Sequence, residues 1–323
     1  MTYVRLLRPQ QWIKNLFVFA GLVFGRKLGD GQAVGLTLLG FVCLCLISSA
    51  VYIINDIYDR QEDKLHPRKS KRPLASGEIG VPTAASLAAG LFVLGLGGGW
   101  LMDAGFGVVA AVYFLLQLAY TFSLKQAVIL DVVSIGLGFV LRAVAGAVLV
   151  HVPISPWLVL CTFTLCLFMG FSKRRCELNA LAGGRAAGRA EARGPHPAGA
   201  HRRTLRVYTP DLLNHMTTLT AGIAIVSFML YAVDDRTKAE FGHGARELGE
   251  FVSTCLLYTL PIVVYAVFRF AVLVEHGDVD GPTDVVLRDR PFQIAILAWV
   301  LAALAIVYQP EQIKALFERI TGG

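Results

Sequence analysis

Long apolar runs alternate with short polar connections along the whole chain. Most of these runs can cross the apolar interior of a bilayer as one α-helix, which takes about 20 residues. The pattern predicts nine spans: Trp12–Gly25, Ala33–Ile54, Pro82–Leu101, Phe106–Phe122, Val128–Val150, Ile154–Phe171, Leu212–Val233, Phe251–Leu273 and Phe292–Tyr308. The first is the weakest, because only Leu16–Gly25 is free of charged residues. The expected fold is therefore all-α and polytopic, with a single membrane domain over residues 1–323.

The composition supports this fold class and excludes three others. Hydrophobic residues make up 55% of the 323 residues, charged residues only 16%, and the mean hydropathy is +0.59. A water-soluble domain carries about 25% charged residues, so a soluble globular fold, a disordered chain and a disulfide scaffold are excluded. The six cysteines lie in or beside apolar runs without metal-binding spacing, which is typical of small packing residues.

The predicted connections differ in basic charge on the two sides of the membrane. The N-terminus, residues 60–72 and residues 173–206 lie on one side and carry most of the 30 Lys and Arg residues. This bias predicts a multi-pass protein of the cell (inner) membrane with a cytoplasmic N-terminus. Attraction to anionic lipid headgroups accounts for the net charge of +7, and no nucleic-acid partner is expected. Residues 183–203, rich in Gly, Ala, Arg and Pro, are expected to be a mobile part of a cytoplasmic loop.

An acidic motif begins where the second predicted span ends. Its four oxygen-bearing side chains are Asn55, Asp56, Asp59 and Asp63. At about 100° per residue, all four would lie within one quadrant of a continuous helix. Their oxygens suit a hard divalent cation such as Mg²⁺, which binds carboxylates together with substrate phosphates. The alternative is a solvated helix end whose acids pair with Lys64 or Arg60.

A basic segment follows the motif directly, over residues 64–72. Acid and base side by side suit a polyanion, with metal on one phosphate and Arg or Lys on the others. The alternative is the ordinary positive charge of a cytoplasmic loop, which would account for part of these bases.

The motif carries a family resemblance. Asn-Asp-x-x-Asp-x-x-x-Asp, followed by Arg72-Pro-Leu and then Gly77, resembles the first motif of the UbiA-type intramembrane prenyltransferase superfamily. The resemblance implies a nine-helix bundle with a cytoplasmic active-site mouth. It also implies Mg²⁺ on Asn55, Asp56, Asp59 and Asp63 as the holder of a substrate diphosphate, with the three aspartates as catalytic residues.

The segment after the sixth predicted span departs from the superfamily pattern. A second aspartate-rich motif is usual there, whereas residues 171–178 read Phe-Ser-Lys-Arg-Arg-Cys-Glu-Leu, with three bases and one acid. Four further patterns accompany this change: Arg8-Pro-Gln-Gln-Trp-Ile-Lys14-Asn15, Gln117-x-x-Tyr120, Lys125, and Leu287-Arg288-Asp289-Arg290. Together they resemble the decaprenyl-phosphate phosphoribosyltransferase branch. This resemblance implies that the metal-held diphosphate belongs to phosphoribosyl diphosphate and that polyprenyl phosphate is the nucleophile.

The chemistry of such a transfer needs anion-binding side chains rather than a general base. A phosphate monoester already carries about −1.5 to −2 charge at neutral pH, and basic residues would deliver it against charge repulsion. Lys173, as a catalytic residue, and Arg174 and Arg175 are expected to hold a phosphate, that of the lipid being favoured. The other expected substrate-binding residues are Lys14, Asn55, Arg72, Tyr120, Lys125, Asp131, Arg142 and Arg288. The seven histidines follow no catalytic pattern that we recognise.

Two of these assignments, Arg142 and Arg288, have open alternatives. Asp131 and Arg142 lie eleven residues apart in the fifth predicted span, so they share a face, about 16 Å apart along the axis. Asp131 is expected at the cytoplasmic mouth, and Arg142 deeper, where a partnership with another helix is an equal alternative. Arg288 and its neighbours would contact the 5-phosphate or anchor the last helix. Tyr208 is a weaker candidate for a lid residue.

Two other functions compete with phosphoribosyl transfer. The first is transfer of a prenyl group from prenyl diphosphate to an aromatic acceptor. The second is transport of a lipid or an ion, although transporters often show internal repeats and we find no convincing repeat in this sequence. The expected partners are phosphoribosyl diphosphate, polyprenyl phosphate and the lipid bilayer, while the oligomeric state, including a homo-oligomer, stays open.

Overall fold

The computed structural model describes residues 2–65, 69–186, 207–242, 245–276, 285 and 288–321. All regular elements in these ranges are helical, as predicted. Most of the segment expected to be a mobile loop, residues 187–203, lies outside the described residues. Residues 183–186 belong instead to a helix that extends well beyond the sixth predicted span, which was expected to end at Phe171.

The chain divides into two compact units, Met1–Ile154 and Ser155–Gly323, which we call the N-terminal and C-terminal units. The N-terminal unit contains α1 (Thr2–Leu7), a 3-10 helix (Pro9–Val18), α2 (Phe19–Phe24), α3 (Gly31–Tyr58), α4 (Arg60–Leu65), a 3-10 turn (Lys69–Lys71), α5 (Pro73–Ser76), α6 (Val81–Met102), α7 (Ala104–Phe122), a 3-10 turn (Leu124–Gln126) and α8 (Leu130–Leu149). The C-terminal unit contains α9 (Pro156–Ala186), α10 (Pro210–Val233), α11 (Asp235–Phe241), α12 (Arg246–Tyr258), α13 (Leu260–His276), α14 (Arg290–Tyr308) and α15 (Pro310–Thr321). The single-domain expectation stays a prediction.

Eight segments of the described chain are long and apolar enough to cross a membrane. They are Gly31–Tyr58, Val81–Met102, Ala104–Phe122, Leu130–Leu149, Pro156–Asn179, Pro210–Val233, Arg246–Glu275 and Arg290–Tyr308, and each matches one of the last eight predicted spans. The first predicted span, Trp12–Gly25, is instead divided between the 3-10 helix and the short α2. The nine-helix count therefore stays a prediction.

The eighth predicted span is interrupted. It forms two helices, α12 and α13, with Thr259 between them. Pro261 has no backbone N–H to donate and its ring disfavours a continuous helix through this turn. The Thr259 hydroxyl donates to the carbonyl of Leu256 at 2.7 Å, so one of the carbonyls at the break has a partner.

Small residues allow the N-terminal 3-10 helix to pack against α8. A Cβ placed on Gly146 would overlap the backbone oxygen of Val18 and lie 2.7 Å from its carbonyl carbon. A Cβ on Gly21 would lie 2.6 Å from the Cα of Ala147. Helices in a bilayer associate through such small residues, because they let two backbones approach closely. This contact places Asn15 of the 3-10 helix beside Arg142 of α8.

Apolar side chains form the remainder of each unit's core. In the N-terminal unit, α3 packs against α6, α7 and α8, and Leu44, Ile47 and Phe106 are fully buried between them. In the C-terminal unit, α9 and α10 pack along each other and α13 lies against both, with Phe168 and Phe270 in ring contact. Each unit is thus a helical bundle.

Candidate anion and metal site

The acidic motif occupies the end of α3 and the following short helix. α3 ends at Tyr58, Asp59 is its C-cap residue, and Asp63 belongs to α4. The prediction of one continuous helix is therefore wrong. However, the backbone N–H of Asp59 donates to the carbonyl oxygen of Asn55, and that of Asp63 donates to the carbonyl oxygen of Asp59, both at 2.9 Å. The helical register is therefore nearly preserved across the break.

Arg72 brings two of the motif carboxylates together. Its Nη1 lies 3.1 Å from Asp56 Oδ1 and 2.6 Å from Asp63 Oδ2. Both aspartates are only 2% exposed. Arg8 also forms an ion pair with Asp56, and Lys69 Nζ lies 3.7 Å from Asp63 Oδ1. Three bases from outside the motif thus neutralise these two buried acids.

The third carboxylate of the motif has a different base. Lys125 Nζ lies 2.6 Å from Asp59 Oδ1, while the Asn55 amide donates to Asp59 Oδ2 at 3.1 Å. The Lys125 ammonium also lies 4.9 Å from the centre of the Tyr58 ring. Lys125 follows α7 in the chain, so helix packing rather than local sequence brings it to the motif.

The alternative interpretation of the motif named the wrong bases. Arg60 donates from Nε to the carbonyl of Leu74 at 3.1 Å, and the Lys64 side chain is exposed. The acids pair instead with bases distant in sequence. The motif is therefore part of a tertiary charge network and not a solvated helix end.

The donor set of the motif fits a hard divalent cation. Asp63 Oδ1 is buried and accepts no hydrogen bond, and such an orphaned oxygen is expected where an ion binds. Carboxylate and amide oxygens are the ligands that Mg²⁺ prefers. Among the described residues, no group of three or more His, Cys, Asp or Glu side chains is arranged to hold an ion. For one cation to contact several of these carboxylates, the bases now paired with them would have to move.

A polar face of α3 continues from the motif toward the middle of the helix. The buried Asn15 amide donates to Ser48 Oγ at 3.1 Å and to Cys45 Sγ at 3.3 Å. One turn earlier in the 3-10 helix, Trp12 Nε1 donates to Ser49 Oγ at 3.0 Å. The 3-10 helix therefore covers this face with polar side chains.

Arg142 lies beside this polar face and is 4% exposed. It donates from Nε to Asn15 Oδ1 at 2.7 Å, from Nη1 to the carbonyl of Gly138 at 2.8 Å and from Nη2 to the Tyr113 hydroxyl at 2.6 Å. Its guanidinium also lies over the rings of Tyr113 and Phe139. Arg142 does have the partnership with other helices that was the alternative to substrate binding, and all these partners are neutral.

Three more predicted site residues lie in the N-terminal unit. Lys14 is partly buried, close enough to Arg142 and Arg8 to be repelled by both, and no described residue forms an ion pair or hydrogen bond with it. Tyr120 lies in the last turn of α7. Asp131 is fully buried in the first turn of α8.

The basic triplet after the sixth predicted span lies on α9 in the C-terminal unit. Lys173 is exposed. Arg174 is 1% exposed and bonds Glu177 at 2.6 Å, whereas Arg175 donates to Asn214 at 3.0 Å and also to Asn179. The two arginines therefore hold the structure of α9 and its contact with α10, whereas Lys173 has the most exposed side chain of the triplet.

The segment before α14 combines a helix cap with an ion pair. Asp289 Oδ1 accepts from the N–H of Phe292 at 2.8 Å, and Asp289 Oδ2 lies 2.8 Å from Arg269 Nη2. The hydrogen bond from Arg269 holds the pKa of Asp289 below its ordinary value, and the bond from Phe292 lowers it further. Arg288 is exposed. Asp289 thus has the anchoring role that was one of the two alternatives for this segment.

Sequence reasoning missed four functional or supporting residues: Arg8, Asn15, Tyr113 and Arg269. Arg8 has one local signal, since it precedes a proline and adopts a left-handed backbone with φ 54°. Asn15 belongs to the same quoted motif, whereas Tyr113 and Arg269 have no local signal, because each bonds a residue distant in sequence. The lid candidate Tyr208 is buried at 3% exposure, and nothing in the described residues tests that role.

The comparisons with known proteins agree with this architecture. The model of the UbiA prenyltransferase family matches residues 15–278. A relative from Mycolicibacterium smegmatis, named decaprenyl-phosphate phosphoribosyltransferase, is 34% identical over 94% of this chain and 92% of that protein. A relative of the same name from Mycobacterium tuberculosis is 32% identical over 94% of this chain and 93% of that protein.

Solved structures show the same fold at lower identity. A UbiA homolog from Archaeoglobus fulgidus bound to DMAPP and Mg²⁺ has a TM-score of 0.67 at 17% identity, covering 96% of this chain and 100% of that chain. The apo structure of a UbiA homolog from Aeropyrum pernix K1 has a TM-score of 0.57 at 13% identity, covering 98% and 99%. The expected all-α membrane fold is therefore confirmed.

Proposed function

The chain belongs to the UbiA prenyltransferase family, and on that premise we propose that it transfers the 5-phosphoribosyl group from phosphoribosyl diphosphate to polyprenyl (decaprenyl) phosphate, releasing pyrophosphate. The names of its relatives, which it matches over more than nine tenths of both chains, support this acceptor and donor. It is a multi-pass membrane transferase. A cell (inner) membrane location, a cytoplasmic N-terminus and a cytoplasmic active-site mouth are parts of the proposal, supported by the distribution of basic charge.

One structural observation carries the proposal: each carboxylate of the acidic motif is matched by a base. Asp56 pairs with Arg8 and Arg72, and Asp59 pairs with Lys125. A site for a polyanionic diphosphate needs cations for the phosphoryl oxygens as well as acids for a metal. The network contains both at one place.

The residues that would hold Mg²⁺ are Asn55, Asp56, Asp59 and Asp63. Mg²⁺ bound there would stabilise the charge that develops on the leaving diphosphate. Arg8, Arg72 and Lys125 would then exchange their carboxylate partners for phosphoryl oxygens, so the charge of the site stays balanced. This exchange costs little Coulomb energy because one anionic oxygen replaces another at a similar distance.

The proposed reaction needs no general base from the protein, because the acceptor is a phosphate monoester. A phosphate monoester is already anionic at neutral pH, so its oxygen attacks the anomeric carbon without losing a proton to the protein. What the chain supplies is position and charge compensation. Lys173 on α9 is the residue we assign to the lipid phosphate, because its side chain is exposed, whereas Arg174 is buried and Arg175 half-buried.

The assay for this function uses the purified full chain in lipid nanodiscs. Polyprenyl phosphate and labelled phosphoribosyl diphosphate are expected to give a lipid-soluble ribose product when Mg²⁺ is present, and none with EDTA. A matched reaction contains prenyl diphosphate and an aromatic acid acceptor. Product in the second reaction alone would contradict the proposal and establish the prenyl transfer reaction instead.

A Lys173→Met variant tests the assignment of the lipid phosphate. We expect KM for polyprenyl phosphate to rise about tenfold, the loss expected for one exposed charge-assisted contact, while the Kd for phosphoribosyl diphosphate stays unchanged. Lys238→Met, a lysine of the same unit that pairs with Asp235, is the control. An unchanged lipid KM in Lys173→Met would refute the assignment.

A further inference from the structure

The polar face of α3 extends from the acidic motif into the membrane-spanning part of the helix. Cys45, Ser48, Tyr52 and Asp56 are spaced three or four residues apart, so they share one face. Ser48 lies eight residues, or about 12 Å along the axis, below Asp56, and Tyr52 lies about 6 Å below it. A ligand that binds at the motif and is about 6 to 12 Å long would therefore reach the levels of Tyr52 and Ser48.

Positive charge gathers along the same face. Arg8 lies over the Tyr52 ring at 5.3 Å, and Arg142 is bonded to Asn15, which in turn bonds Ser48. Lys14 precedes Asn15 in the 3-10 helix, is partly buried, and has Arg142 and Arg8 as charged neighbours. Three cations thus line the stretch between the motif and the level of Ser48.

The two deeper cations have no carboxylate partner among the described residues. Arg142 bonds only neutral groups there, and Lys14 forms neither an ion pair nor a hydrogen bond. Ionisable groups in a membrane protein interior are costly unless a partner or a ligand compensates them. By contrast, Arg8 is already matched by Asp56. An anionic ligand beside Lys14 and Arg142 would therefore compensate their charge.

We propose that Lys14, held beside Arg142, binds the 5-phosphate of the donor whose diphosphate binds at the acidic motif. The inference rests on the proposed function. Phosphoribosyl diphosphate is anionic at both ends of a pentose, which suits acids and bases at the motif and unpaired cations further along α3. Prenyl diphosphate is anionic at one end only and would place an apolar tail against Lys14 and Arg142.

This subsite gives the chain a means of distinguishing donors. A donor that lacks the second phosphate would remove water from these cations without supplying an anion. Its binding free energy would therefore be less favourable, because the polar groups of the site would be left unpaired. Asn15 and Tyr113 hold the Arg142 guanidinium in place by hydrogen bonds of 2.7 and 2.6 Å, so the positive charge is fixed before the donor arrives. Lys14 is the residue of the pair whose amine is available to contact a ligand.

A binding cycle tests the proposal in the full chain with Mg²⁺ present. Calorimetry gives Kd for phosphoribosyl diphosphate and for ribose 1-diphosphate, which lacks only the 5-phosphate, on wild type and on Lys14→Met. We expect wild type to prefer phosphoribosyl diphosphate. In Lys14→Met that preference should fall about 10- to 100-fold, the loss of one charge-assisted contact, while Kd for ribose 1-diphosphate changes by less than about threefold.

Two controls separate binding from folding. Lys27→Met removes a lysine in the turn after α2, which has no role in the proposed site, and should leave both Kd values unchanged. Lys14→Arg keeps the charge and should recover most of the preference for the phosphorylated donor. The thermal unfolding midpoint of Lys14→Met should be at least that of wild type, because a partly buried cation without an ion-pair partner has been removed.

The outcomes distinguish the two proposals. Equal weakening of both ligands in Lys14→Met, weakening of neither, or a rise only in KM for polyprenyl phosphate would each overturn the subsite. If wild type transfers phosphoribosyl groups and any of these results is found, only the subsite fails. If wild type with Mg²⁺ binds neither diphosphate, the proposed function fails and the subsite with it.

Discussion

An Asp56→Asn variant is expected to transfer phosphoribosyl groups about 10³-fold more slowly than wild type, the scale of losing one preorganised electrostatic contact to a developing charge. Asp56 is the motif residue with two arginine partners, and it is 2% exposed. An amide of the same shape removes the negative charge that the proposed cation requires. It also leaves Arg8 and Arg72 with one carboxylate fewer to neutralise them.

Glu62→Gln is the matched control for this change. Glu62 lies on α4 between Asp59 and Asp63, but its side chain is exposed, so the same loss of one carboxylate charge should alter the rate by less than about twofold. A second readout is the shift in unfolding midpoint that phosphoribosyl diphosphate with Mg²⁺ produces. Wild type and Glu62→Gln should show it, whereas Asp56→Asn should not. A rate for Asp56→Asn near that of wild type would exclude the motif as the site of catalysis.

Gly146→Ala is expected to destabilise the N-terminal unit by about 3 kcal/mol or more, the upper range for overpacking. A Cβ at this position would overlap the carbonyl oxygen of Val18 and approach its Cα to 3.0 Å. Backbone atoms cannot rotate away as a flexible side chain can, so the 3-10 helix has to move. Because Arg142 is one turn earlier on α8, that movement should also separate Arg142 from Asn15.

Gly97→Ala provides the comparison within the same unit. A Cβ on Gly97 of α6 meets no atom within 4 Å, so this substitution should be neutral or slightly stabilising through helix propensity. Unfolding midpoints in detergent, with transfer rates, measure both variants. If Gly146→Ala unfolds at the same midpoint as Gly97→Ala, the close approach of the 3-10 helix to α8 is not as described.

Predictions from local pattern were most accurate where the chain crosses the membrane. The predicted span Phe106–Phe122 corresponds to the helix Ala104–Phe122. The predicted span Leu212–Val233 corresponds to the helix Pro210–Val233. The errors came where apolar periodicity carries no information. α9 continues to Ala186 beyond the end of its apolar run, and the helix expected to carry all four motif residues ends at Tyr58.

The candidate site was predicted as a set of residues but not as a set of contacts. Asn55, Asp56, Asp59 and Asp63 were identified from spacing, yet the bases that neutralise them were not. Arg8 was only part of a quoted motif, and the alternative partners proposed for the acids, Lys64 and Arg60, have other environments in the structure. The roles of the predicted residues in binding stay proposals that the variants above test.

The sequence by itself determined the fold class, most of the spans and the acidic motif, because hydrophobic runs and short motifs are properties of neighbouring residues. Only the tertiary structure decided which charges meet. Arg8 reaches Asp56 across 48 residues and Lys125 reaches Asp59 across 66. It also placed Arg142 against Asn15, 127 residues apart. Such pairs depend on how closely helices pack, and that depends on small residues such as Gly146, which carry no charge and no motif.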